Sequence, residues 1–422
     1  MKKILIIING FYPYKQSEDY LSTEVNYIHG FDKVICFPTL IYGKKNNNDI
    51  KYYPLPSANI EFRNSIGDIK TNILRNLFFA LSNYSFYKEI LHIFKSSHKI
   101  LVRLKSAIRT FLQSTNAYFD IKKIIEYELK DLNTEIYLYS YWMAGTALTA
   151  SMLKENKKKE IKMIFSRCHR FDVYEYANYQ NYIPFRKYIL KHLDIIFSIS
   201  DDAKNYLENK YWGLVKEKII ISRLGTFDRG INISPKDNVL KVVSCSWLRP
   251  VKRVDLLFKA LDTLVDLKIE WIHYGDGEEM QKIQKLVSNK NNSNLKATLA
   301  GSKTNKEIID IYLNTDINIF INVSESEGVP VSIMEAMSFG KIIIATDVGG
   351  TSEVVINGEN GYLLPVSPSI EEISNAIRKV YNYDIKQYTK ACYKSREIWE
   401  RKSNAIKNYE QFYNYLNKYA RV

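Results

Sequence analysis

Residues 316–345 read DINIFINVSESEGVPVSIMEAMSFGKIIIA, and this stretch indicates the fold class. It opens with a mostly apolar run of strand length at 316–321 and closes with a second apolar run. Residues 331–339 are predicted to form a short helix between the two runs, because Pro330 is tolerated in a first turn and Gly340 can end a helix. A strand, a short helix and another strand in succession are typical of a parallel sheet covered by helices.

The same alternation of short apolar runs and helical patterns continues along most of the chain. It predicts an α/β protein with two doubly wound parallel sheets, each covered by helices on both faces. The other candidate strands are residues 3–8, 33–37, 135–140, 161–166, 194–199, 218–222, 241–246, 269–274 and 296–300. Helical patterns between them include 184–193, 252–267, 277–290 and 304–314.

Two domains are expected, because 422 residues are too many for one ordinary core. A loop composition at 228–240 predicts the boundary between them. We expect Rossmann-like domains at 1–229 and 238–395, with a C-terminal helix at about 400–422 packed back on the first. Ligands of doubly wound sheets bind beyond the carboxyl ends of the strands, so two facing domains would place the site in the cleft between them.

Two carboxylates stand eight positions apart across the predicted helix start. Glu335 lies inside the helix, near enough to its start to reach a ribose, and Glu327 precedes it in a loop where it can accept hydrogen bonds from sugar hydroxyls. A helix N-terminus offers unpaired N–H groups and partial positive charge, which suit a diphosphate. An isolated pair of this kind is more often a solvated acidic loop, so the interpretation depends on the surrounding motifs.

A basic segment, Arg249-Pro250-Val251-Lys252-Arg253, follows another predicted strand and opens a helix. Lys252 and one or both arginines at that helix start would offset the charge that grows on a diphosphate leaving group. The alternative is a basic helix face in solvent. In the N-terminal half, His169 follows a strand and could contact a substrate, although a lone histidine is more often structural.

Composition narrows the classes of partner. The net charge of +14 favours anionic partners, which include a nucleotide diphosphate, an acidic lipid surface and nucleic acid. The four cysteines are widely spaced and form no CxxC pair, so free thiols in a reducing compartment are expected and a zinc site is not. The N-terminal apolar run is too short for a signal peptide, no run is long enough to span a bilayer, and a cytoplasmic protein is expected.

The region 72–112 is helical in pattern and interleaves basic residues with Leu, Ile and Phe. Such a segment could lie on an anionic membrane surface. The alternative is an amphipathic helix pair that faces the core and turns a basic side to solvent.

Taken together, these segments resemble the retaining glycosyltransferases of family 4, which have the two-domain GT-B fold. Glu327 and Glu335 match the E-x7-E signature of that family, and Lys252 matches its diphosphate-binding lysine. Further landmarks match in the same order, at Leu224-Gly225, Gly275-Asp276-Gly277 and Asp347-Val348-Gly349-Gly350. The resemblance is strongest over 160–365, and residues 166–176 are similar to bacterial polysaccharide and lipopolysaccharide members.

The resemblance implies roles for individual residues. His169 would contact the transferred sugar or the reacting centre, and Glu327 the sugar hydroxyls. Glu335 would bind the ribose. Gly10 would leave room for the donor. The remaining donor-binding positions would lie around the diphosphate, with Lys252 and Arg249 as cations, and with Gly328, Val329, Pro330 and Val331 at the helix start. Pro330 has no N–H to offer, so Val329 and Val331 would donate.

Two departures from the family pattern stand out. The family often has Arg where Trp247 stands, so Arg249 or Arg253 would replace a missing cation. The first loop reads PYKQSE at 13–18 and lacks the usual Gly-rich turn, so we expect a different approach of donor or acceptor.

The resemblance implies a hexosyl-type, metal-independent glycosyltransferase with a nucleotide-diphosphate sugar as co-substrate and no cofactor. The first domain would be the acceptor side and the second would bind the nucleotide sugar. The acceptor would be a glycan or lipid-linked oligosaccharide in capsule, O-antigen or exopolysaccharide assembly, at the inner face of the cell membrane. The alternatives are a GT-B sugar-nucleotide epimerase and a non-enzymatic basic protein that binds membrane or nucleic acid. No recognition helix or RNP-like motif supports nucleic acid.

Overall fold

The computed structural model describes residues 1–14, 18–40, 59–63, 72–96, 99–131, 133–157, 159–178 and 181–419. The chain divides into two units. The first comprises Met1–Ile199, Ala203–Ser222 and Tyr409–Val422, and the second comprises Ser200–Asp202 and Arg223–Asn408. Each unit is built around a parallel sheet of its own.

Within the described ranges, the sheet of the first unit has seven strands, in the order β3-β2-β1-β4-β5-β6-β7. They are β1 (Lys2–Asn9), β2 (Lys33–Pro38), β3 (Ile60–Phe62), β4 (Thr134–Ser140), β5 (Ile161–Cys168), β6 (Ile195–Ser198) and β7 (Ile219–Ile221). The helices of this part of the chain are α1 (Asp19–Glu24), α2 (Ile73–Ser82), α3 (Tyr84–Lys95), α4 (Ile100–Glu128), α5 (Gly145–Asn156), α6 (Arg170–Val173), α7 (Arg186–His192) and α8 (Asp201–Val215). Residues 4–9 of the central strand β1 are all buried, as expected for a strand covered on both faces.

The second unit is described over its whole length and contains a six-stranded parallel sheet, in the order β10-β9-β8-β11-β12-β13. Its strands are β8 (Leu240–Cys245), β9 (Ile269–Tyr274), β10 (Leu295–Leu299), β11 (Ile319–Asn322), β12 (Ile342–Thr346) and β13 (Gly361–Leu364). Its helices are α9 (Val254–Asp262), α10 (Met280–Ser288), α11 (Asn305–Asn314), α12 (Val331–Ser338), α13 (Ile370–Tyr381) and α14 (Ile385–Lys402). The last helix, α15 (Ala405–Tyr419), begins in this unit and continues into the first.

Each of the eleven predicted strands overlaps a strand of the structure, and two short edge strands, β3 and β13, were not predicted. The strand predicted at 316–321 begins three residues late, because the Asn318 side chain accepts a hydrogen bond from the backbone N–H of Lys241 at 2.9 Å. The helix predicted at about 400–422 is α15, which follows a break at 403–404. Residues 420–422 lie outside the described ranges.

The strand order of each sheet reverses beside its first strand. In the first unit β1 lies between β2 and β4, and in the second β8 lies between β9 and β11. Such switch points are where doubly wound sheets bind ligands, outside the carboxyl ends of the strands. A ligand-binding site is therefore expected in the loops that follow β1, β4, β8 and β11.

A buried ion pair lies in the core of the first unit. Arg167 Nε stands 3.1 Å from Glu24 Oε2, and neither side chain is exposed to solvent. The Tyr139 hydroxyl donates to Glu24 Oε1 at 2.8 Å. The Arg167 guanidinium also lies over the ring of Phe412 on α15, at 4.4 Å from its centre. The pair therefore links the sheet of this unit to the C-terminal helix.

The region 72–112 forms α2, α3 and the first turns of α4, with residues 97 and 98 outside the described ranges. Helices α2 and α3 each pack against α4. None of the helices in the described parts of the chain combines the length and the apolar character needed to cross a bilayer.

Candidate active site

A lysine and a glutamate meet at the switch point of the second sheet. Lys252 ends a short 3-10 turn after β8, and Glu327 lies in the loop between β11 and α12. Lys252 Nζ stands 2.5 Å from Glu327 Oε1, and the side-chain amide of Asn322 donates to the same oxygen at 3.3 Å. Glu327 is buried, whereas the Lys252 side chain is partly exposed. The loop therefore holds a carboxylate in place with a cation beside it.

Two arginines flank Lys252, and the structure gives them different surroundings. The guanidinium of Arg253 donates to three backbone carbonyl oxygens, those of Val323, Ser324 and Val366, at 2.7, 2.9 and 2.8 Å. Burial lowers the pKa of this guanidinium. Arg253 thus holds the backbone of the loop that leads to Glu327. Arg249 is exposed, and its guanidinium lies 5.9 Å from the centre of the Trp247 ring.

Glu335 lies in the middle of α12, in a half-buried polar pocket. Asn305 Nδ2, at the start of α11, donates to Glu335 Oε1 at 2.5 Å. Burial raises the pKa of the Glu335 carboxyl to about 7, although the bond from Asn305 opposes the shift. Burial raises the pKa of the Cys245 thiol, and the charge of Glu335 adds to that effect. Burial and nearby charges, including that of Glu335, raise the pKa of the Tyr312 hydroxyl. This buried hydroxyl has no hydrogen-bond partner within the described ranges. Glu335 therefore changes its charge near neutral pH.

Helix α12 begins at Val331, with Pro330 at its N-cap position. The first N–H groups of a helix have no partner inside it, so α12 directs donors toward the residues that precede it. The backbone N–H of Gly350 donates to the carbonyl oxygen of Gly328 at 2.7 Å. A Cβ atom on Gly350 would come within 2.7 Å of Val329 Cγ2. The glycine turn after β12 therefore braces the segment that leads into α12.

The glycine turn after β9 braces the other loop, which carries Lys252. The backbone N–H of Leu248 donates to the carbonyl oxygen of Asp276 at 3.0 Å. Gly275 has a φ of +147°, and a Cβ atom there would lie 1.8 Å from the carbonyl oxygen of Ser246. Glycine is therefore required for this close approach, and the turn supports the site in addition to connecting two elements.

His169 follows β5 in the first unit. Its ring packs against those of Trp142 and Tyr141, with centroids 4.4 and 4.9 Å apart. Burial, followed by the charge of Arg167, lowers the pKa of the His169 imidazole to about 3, although a hydrogen bond to the backbone of Tyr141 opposes the shift. Its Nε2 atom is buried and has no hydrogen-bond partner in the described parts of the chain. His169 is therefore a neutral group at physiological pH.

A cavity of about 430 Å³ lies at the switch point of the first sheet. Its lining combines three aromatic rings with hydroxyl and amide groups, from Phe11, Trp142, Phe171, Thr39, Thr110, Gln113, Ser114, Thr146 and Thr149. Gly10 also lines this cavity, and His169 packs against its wall through Trp142. Residues 15–17 of the first loop lie outside the described ranges. Glu18 also lines the cavity, which therefore offers ring faces, neutral polar groups and one carboxylate.

The Glu18 carboxylate organises the first loop. It accepts hydrogen bonds from the backbone N–H groups of Gly10, Phe11 and Tyr12 at 2.8, 2.9 and 2.6 Å. The Trp142 indole also donates to it, at 2.6 Å. Successive N–H groups in such a turn form an anion-binding nest, and here the anion is a carboxylate of the protein itself. Glu18 therefore fixes both the loop after β1 and one ring of the cavity wall.

The sequence indicated the charged members of the site but not their neutral partners. Asn322 and Trp142 could have been found, because the first ends β11 and the second follows β4 by two residues, both beside a switch point. Asn305 and Tyr312 lie on α11, and no sequence pattern relates that helix to Glu335 on α12.

In the ranges that the structure describes, no three His, Cys, Asp or Glu residues are arranged to hold a metal ion. The two site carboxylates bond to protein donors instead, Glu327 to Lys252 and Glu335 to Asn305.

Residues 228–398 match the family model of the glycosyl transferases group 1. This range contains Lys252, Glu327 and Glu335 and lies within the second unit. An uncharacterized glycosyltransferase of Methanocaldococcus jannaschii is 30% identical over 248 residues, which cover 54% of this chain and 60% of that relative. The chain thus spans about 60% of the length of this curated relative.

Solved structures extend the likeness to the whole chain. The lipopolysaccharide outer core galactosyltransferase WaaB in its apo form has a TM-score of 0.69 and 15% identity, with 100% of both chains covered. HepE of Anabaena in complex with UDP has a TM-score of 0.66 and 14% identity, with 99% of this chain and 100% of that chain covered. The chain therefore has the α/β, two-domain GT-B fold, and its second unit is similar to the glycosyl transferases group 1.

Proposed function

We propose that the protein is a retaining, metal-independent glycosyltransferase of family 4 that moves a hexose-type sugar from a nucleotide-diphosphate sugar to an acceptor hydroxyl. The observation that carries this proposal is the Lys252–Glu327 pair at the switch point of a domain that matches the group 1 glycosyl transferases. A nucleotide sugar needs a cation for its diphosphate and an acceptor for its sugar hydroxyls. The pair supplies both groups within 2.5 Å of each other.

The cations would act on the diphosphate. Lys252 would offset the negative charge that grows as the sugar bond breaks. Arg249 would supply the second cation, because Arg253 is committed to three backbone carbonyl oxygens while Arg249 is exposed. Arg249 would thus replace the arginine that family members often have at the position of Trp247.

The start of α12 would bind the same diphosphate through its backbone. Val329 and Val331 would donate their N–H groups, and Pro330 between them has none. Gly328 would allow the donor to approach the loop closely. Glu335, further along the helix, would accept hydrogen bonds from the ribose, most strongly when its carboxyl is ionised.

The sugar would be held by Glu327, whose buried carboxylate would accept hydrogen bonds from its hydroxyls. His169 would contact the transferred sugar as a neutral imidazole with a free Nε2 atom. Gly10 would leave space beside the first loop.

In the proposed reaction, the bond between the anomeric carbon and the diphosphate oxygen breaks. A bond from the acceptor oxygen forms on the same face of the sugar, and the hydroxyl proton passes to the leaving phosphate. No protein nucleophile takes part, so the rate enhancement rests on positioning and on charge stabilisation.

The proposed acceptor is a glycan or a lipid-linked oligosaccharide in the synthesis of capsule, lipopolysaccharide or another cell-surface polysaccharide. The name of WaaB supports this class of acceptor, and the UDP bound to HepE supports a nucleotide-sugar donor. We also propose a cytoplasmic location. All four cysteines are free thiols, which is typical of a reducing compartment.

The test is nucleotide release from a panel of UDP-, GDP- and ADP-sugars, with and without a lipid-linked glycan. Release from one donor that depends on the acceptor is expected, with the same anomeric configuration in donor and product by NMR. Conversion of the sugar nucleotide without release would identify an epimerase instead. Absence of turnover, combined with no thermal stabilisation by any nucleotide, would refute the donor site.

Site variants sharpen this test. Lys252→Ala and Glu327→Ala are each expected to lower kcat/KM by about 100-fold or more, the loss typical of a removed charge-stabilising group. Glu325→Ala is the matched control, because Glu325 is an exposed carboxylate of the same loop. Wild-type turnover in both site variants would overturn the assignment.

A further inference from the structure

The first unit exposes apolar stripes on the two helices that pack against α4. Large side chains follow helical spacing on the outer side of each helix, and they are Leu74, Phe78 and Leu81 on α2 and Tyr87, Leu91 and Phe94 on α3. We call these six residues the α2–α3 surface. The exposed fraction is 73% at Phe78 and 60% at Leu91. Single exposed apolar residues are ordinary, but regular stripes of them mark interaction surfaces.

The sides of α2 and α3 that face the protein combine polar and apolar residues. Their buried residues are Asn76, Ala80, Ser85, Glu89 and Ile93. Glu89 accepts a hydrogen bond from the Tyr182 hydroxyl, and Arg75 donates to Asn116 Oδ1 at 3.0 Å. These polar contacts hold the helices together with two inward-facing rings, since Phe79 and Phe86 pack against Phe111 of α4 with ring centroids 6.2 and 4.8 Å apart. The helix pair therefore meets the core with some of its apolar residues, as the core-facing interpretation expects, and still leaves the α2–α3 surface exposed.

The same part of the chain is positively charged. Its exposed cations are Lys88, Lys95, Lys99, Lys105 and Arg109. The single carboxylate between residues 72 and 119 is Glu89, and it is buried. The Lys88 ammonium lies 4.5 Å from the centre of the Tyr84 ring, so charge and apolar surface are interleaved. Cations interleaved with large apolar side chains are typical of helices that lie on anionic membranes.

We propose that α2, α3 and the first turns of α4 dock on a lipid bilayer that contains anionic headgroups. The α2–α3 surface enters the headgroup region, and the exposed lysines and arginine contact lipid phosphates. The helices lie on the bilayer, since no described helix is long and apolar enough to cross it. A second copy of this chain fits less well, because a twofold contact would set the same cations against each other. The proposal concerns binding alone and stands whether or not the protein transfers sugars.

The test is co-sedimentation of the full chain with vesicles of phosphatidylglycerol and phosphatidylethanolamine, compared with vesicles of phosphatidylcholine alone. Binding to the anionic vesicles is expected to be stronger by about tenfold or more and to weaken at high salt. The double variant Leu91→Gln, Phe94→Gln should lose about tenfold or more of the vesicle binding. Its circular dichroism and thermal unfolding should match the wild type, because both side chains are largely exposed. The matched control is Ile385→Gln, an exposed apolar position of α14, which should bind as the wild type does.

A charge variant separates the two components of the surface. Lys88→Gln with Lys95→Gln should reduce the preference for anionic over phosphatidylcholine vesicles. No binding to anionic vesicles, equal binding by the double apolar variant, or an unchanged lipid preference in the charge variant would each overturn the proposal. A dimer seen by light scattering and lost in the double apolar variant would also overturn it, because a second copy would then be the occupant.

Discussion

A Cβ atom on Gly349 would lie 2.1 Å from the backbone carbonyl oxygen of Glu327, which is far inside contact distance. Gly349 also has a φ of +55°, a conformation that glycine adopts without steric cost. The position of the Glu327 carboxylate therefore depends on a residue that has no functional group of its own.

Gly349→Ala is accordingly expected to displace the Glu327 loop and to lower kcat/KM by about 100-fold, a loss that a misplacement of about 1 Å can cause. Steady-state kinetics with the donor identified by the release assay would measure it. Gly358→Ala is the matched control, because Gly358 has a φ of +79° but its added Cβ would meet no atom within 4 Å. Equal losses in the two variants would attribute the effect to backbone strain and contradict this account.

Glu335→Gln should change how stability depends on pH. Burial raises the pKa of Glu335 from 4.5 to about 7, so the folded state keeps a proton that the unfolded state releases between these values. The stability that this proton contributes is lost as the pH rises through that window. The variant cannot ionise, so its Tm relative to the wild type should rise from about pH 5 to about pH 8.

The measurement is thermal unfolding of both proteins across this range. Glu307→Gln is the control, since hydrogen bonds from Thr304 lower the pKa of the exposed Glu307 carboxyl below its usual range, and its curve should run parallel to that of the wild type from pH 5 to pH 8. Parallel curves for Glu335→Gln and the wild type would contradict the prediction.

The buried Glu24–Arg167 pair should behave as one unit in the stability of the protein. Glu24→Gln leaves the Arg167 guanidinium buried without its charged partner, which is expected to cost about 3–5 kcal/mol in the free energy of unfolding. The double variant Glu24→Gln, Arg167→Met should lose less than the sum of the single variants. Denaturant unfolding over the double-mutant cycle measures the coupling.

An exposed pair supplies the comparison. Lys296 Nζ lies 3.2 Å from Glu270 Oε1 with side chains that are 74% and 41% exposed, so Lys296→Ala should cost less than about 1 kcal/mol. If the losses in the free energy of unfolding of the two single variants add up to that of the double variant, the contact between Glu24 and Arg167 contributes nothing to stability.

Glu18→Ala should affect the acceptor more than the donor, if the cavity of the first unit receives the acceptor. The substitution removes the acceptor of four hydrogen bonds, including the one that orients the Trp142 ring. The acceptor KM is expected to rise about tenfold, which corresponds to about 1.4 kcal/mol. The donor KM should rise less, through the loss of the bond that holds Gly10. Glu18→Gln keeps one acceptor oxygen, so its acceptor KM should lie between those of the wild type and the Glu18→Ala variant. A Glu160→Ala control removes an exposed carboxylate of the same unit. A change confined to the donor KM would contradict this role.

The central strands were predictable from sequence because a parallel strand covered on both faces is a nearly continuous apolar run, as at 319–322 in β11. Among the edge strands of the two sheets, β3 and β13 were not predictable. β3 spans three residues and β13 begins with Gly361, so neither carries enough of a pattern to be distinguished from a loop.

The residues of the candidate site also include some whose arrangement the sequence could predict and some whose arrangement it could not. That Lys252 and Glu327 lie close together could be predicted, because both follow strands beside the switch point of one sheet. The sequence could not predict that Arg253 binds backbone carbonyl oxygens while Arg249 stays exposed. The carbonyl oxygens that Arg253 contacts lie 70 to 113 positions away along the chain. Contacts of that range follow from the folded backbone and leave no local pattern.

The core of the first unit includes residues from the far end of the chain, because Phe412, Tyr413 and Leu416 of α15 pack with Leu5 and Ile7 of β1. A ribosome must therefore synthesise residues 223–408 after the rest of this unit and before the helix that completes it. At about 5–20 residues per second, that delay is on the order of ten seconds or more. During this interval the nascent protein exposes the apolar surface that α15 later covers. We expect ribosome-bound chains that end before residue 409 to associate with chaperones, and to be released from them once α15 has emerged.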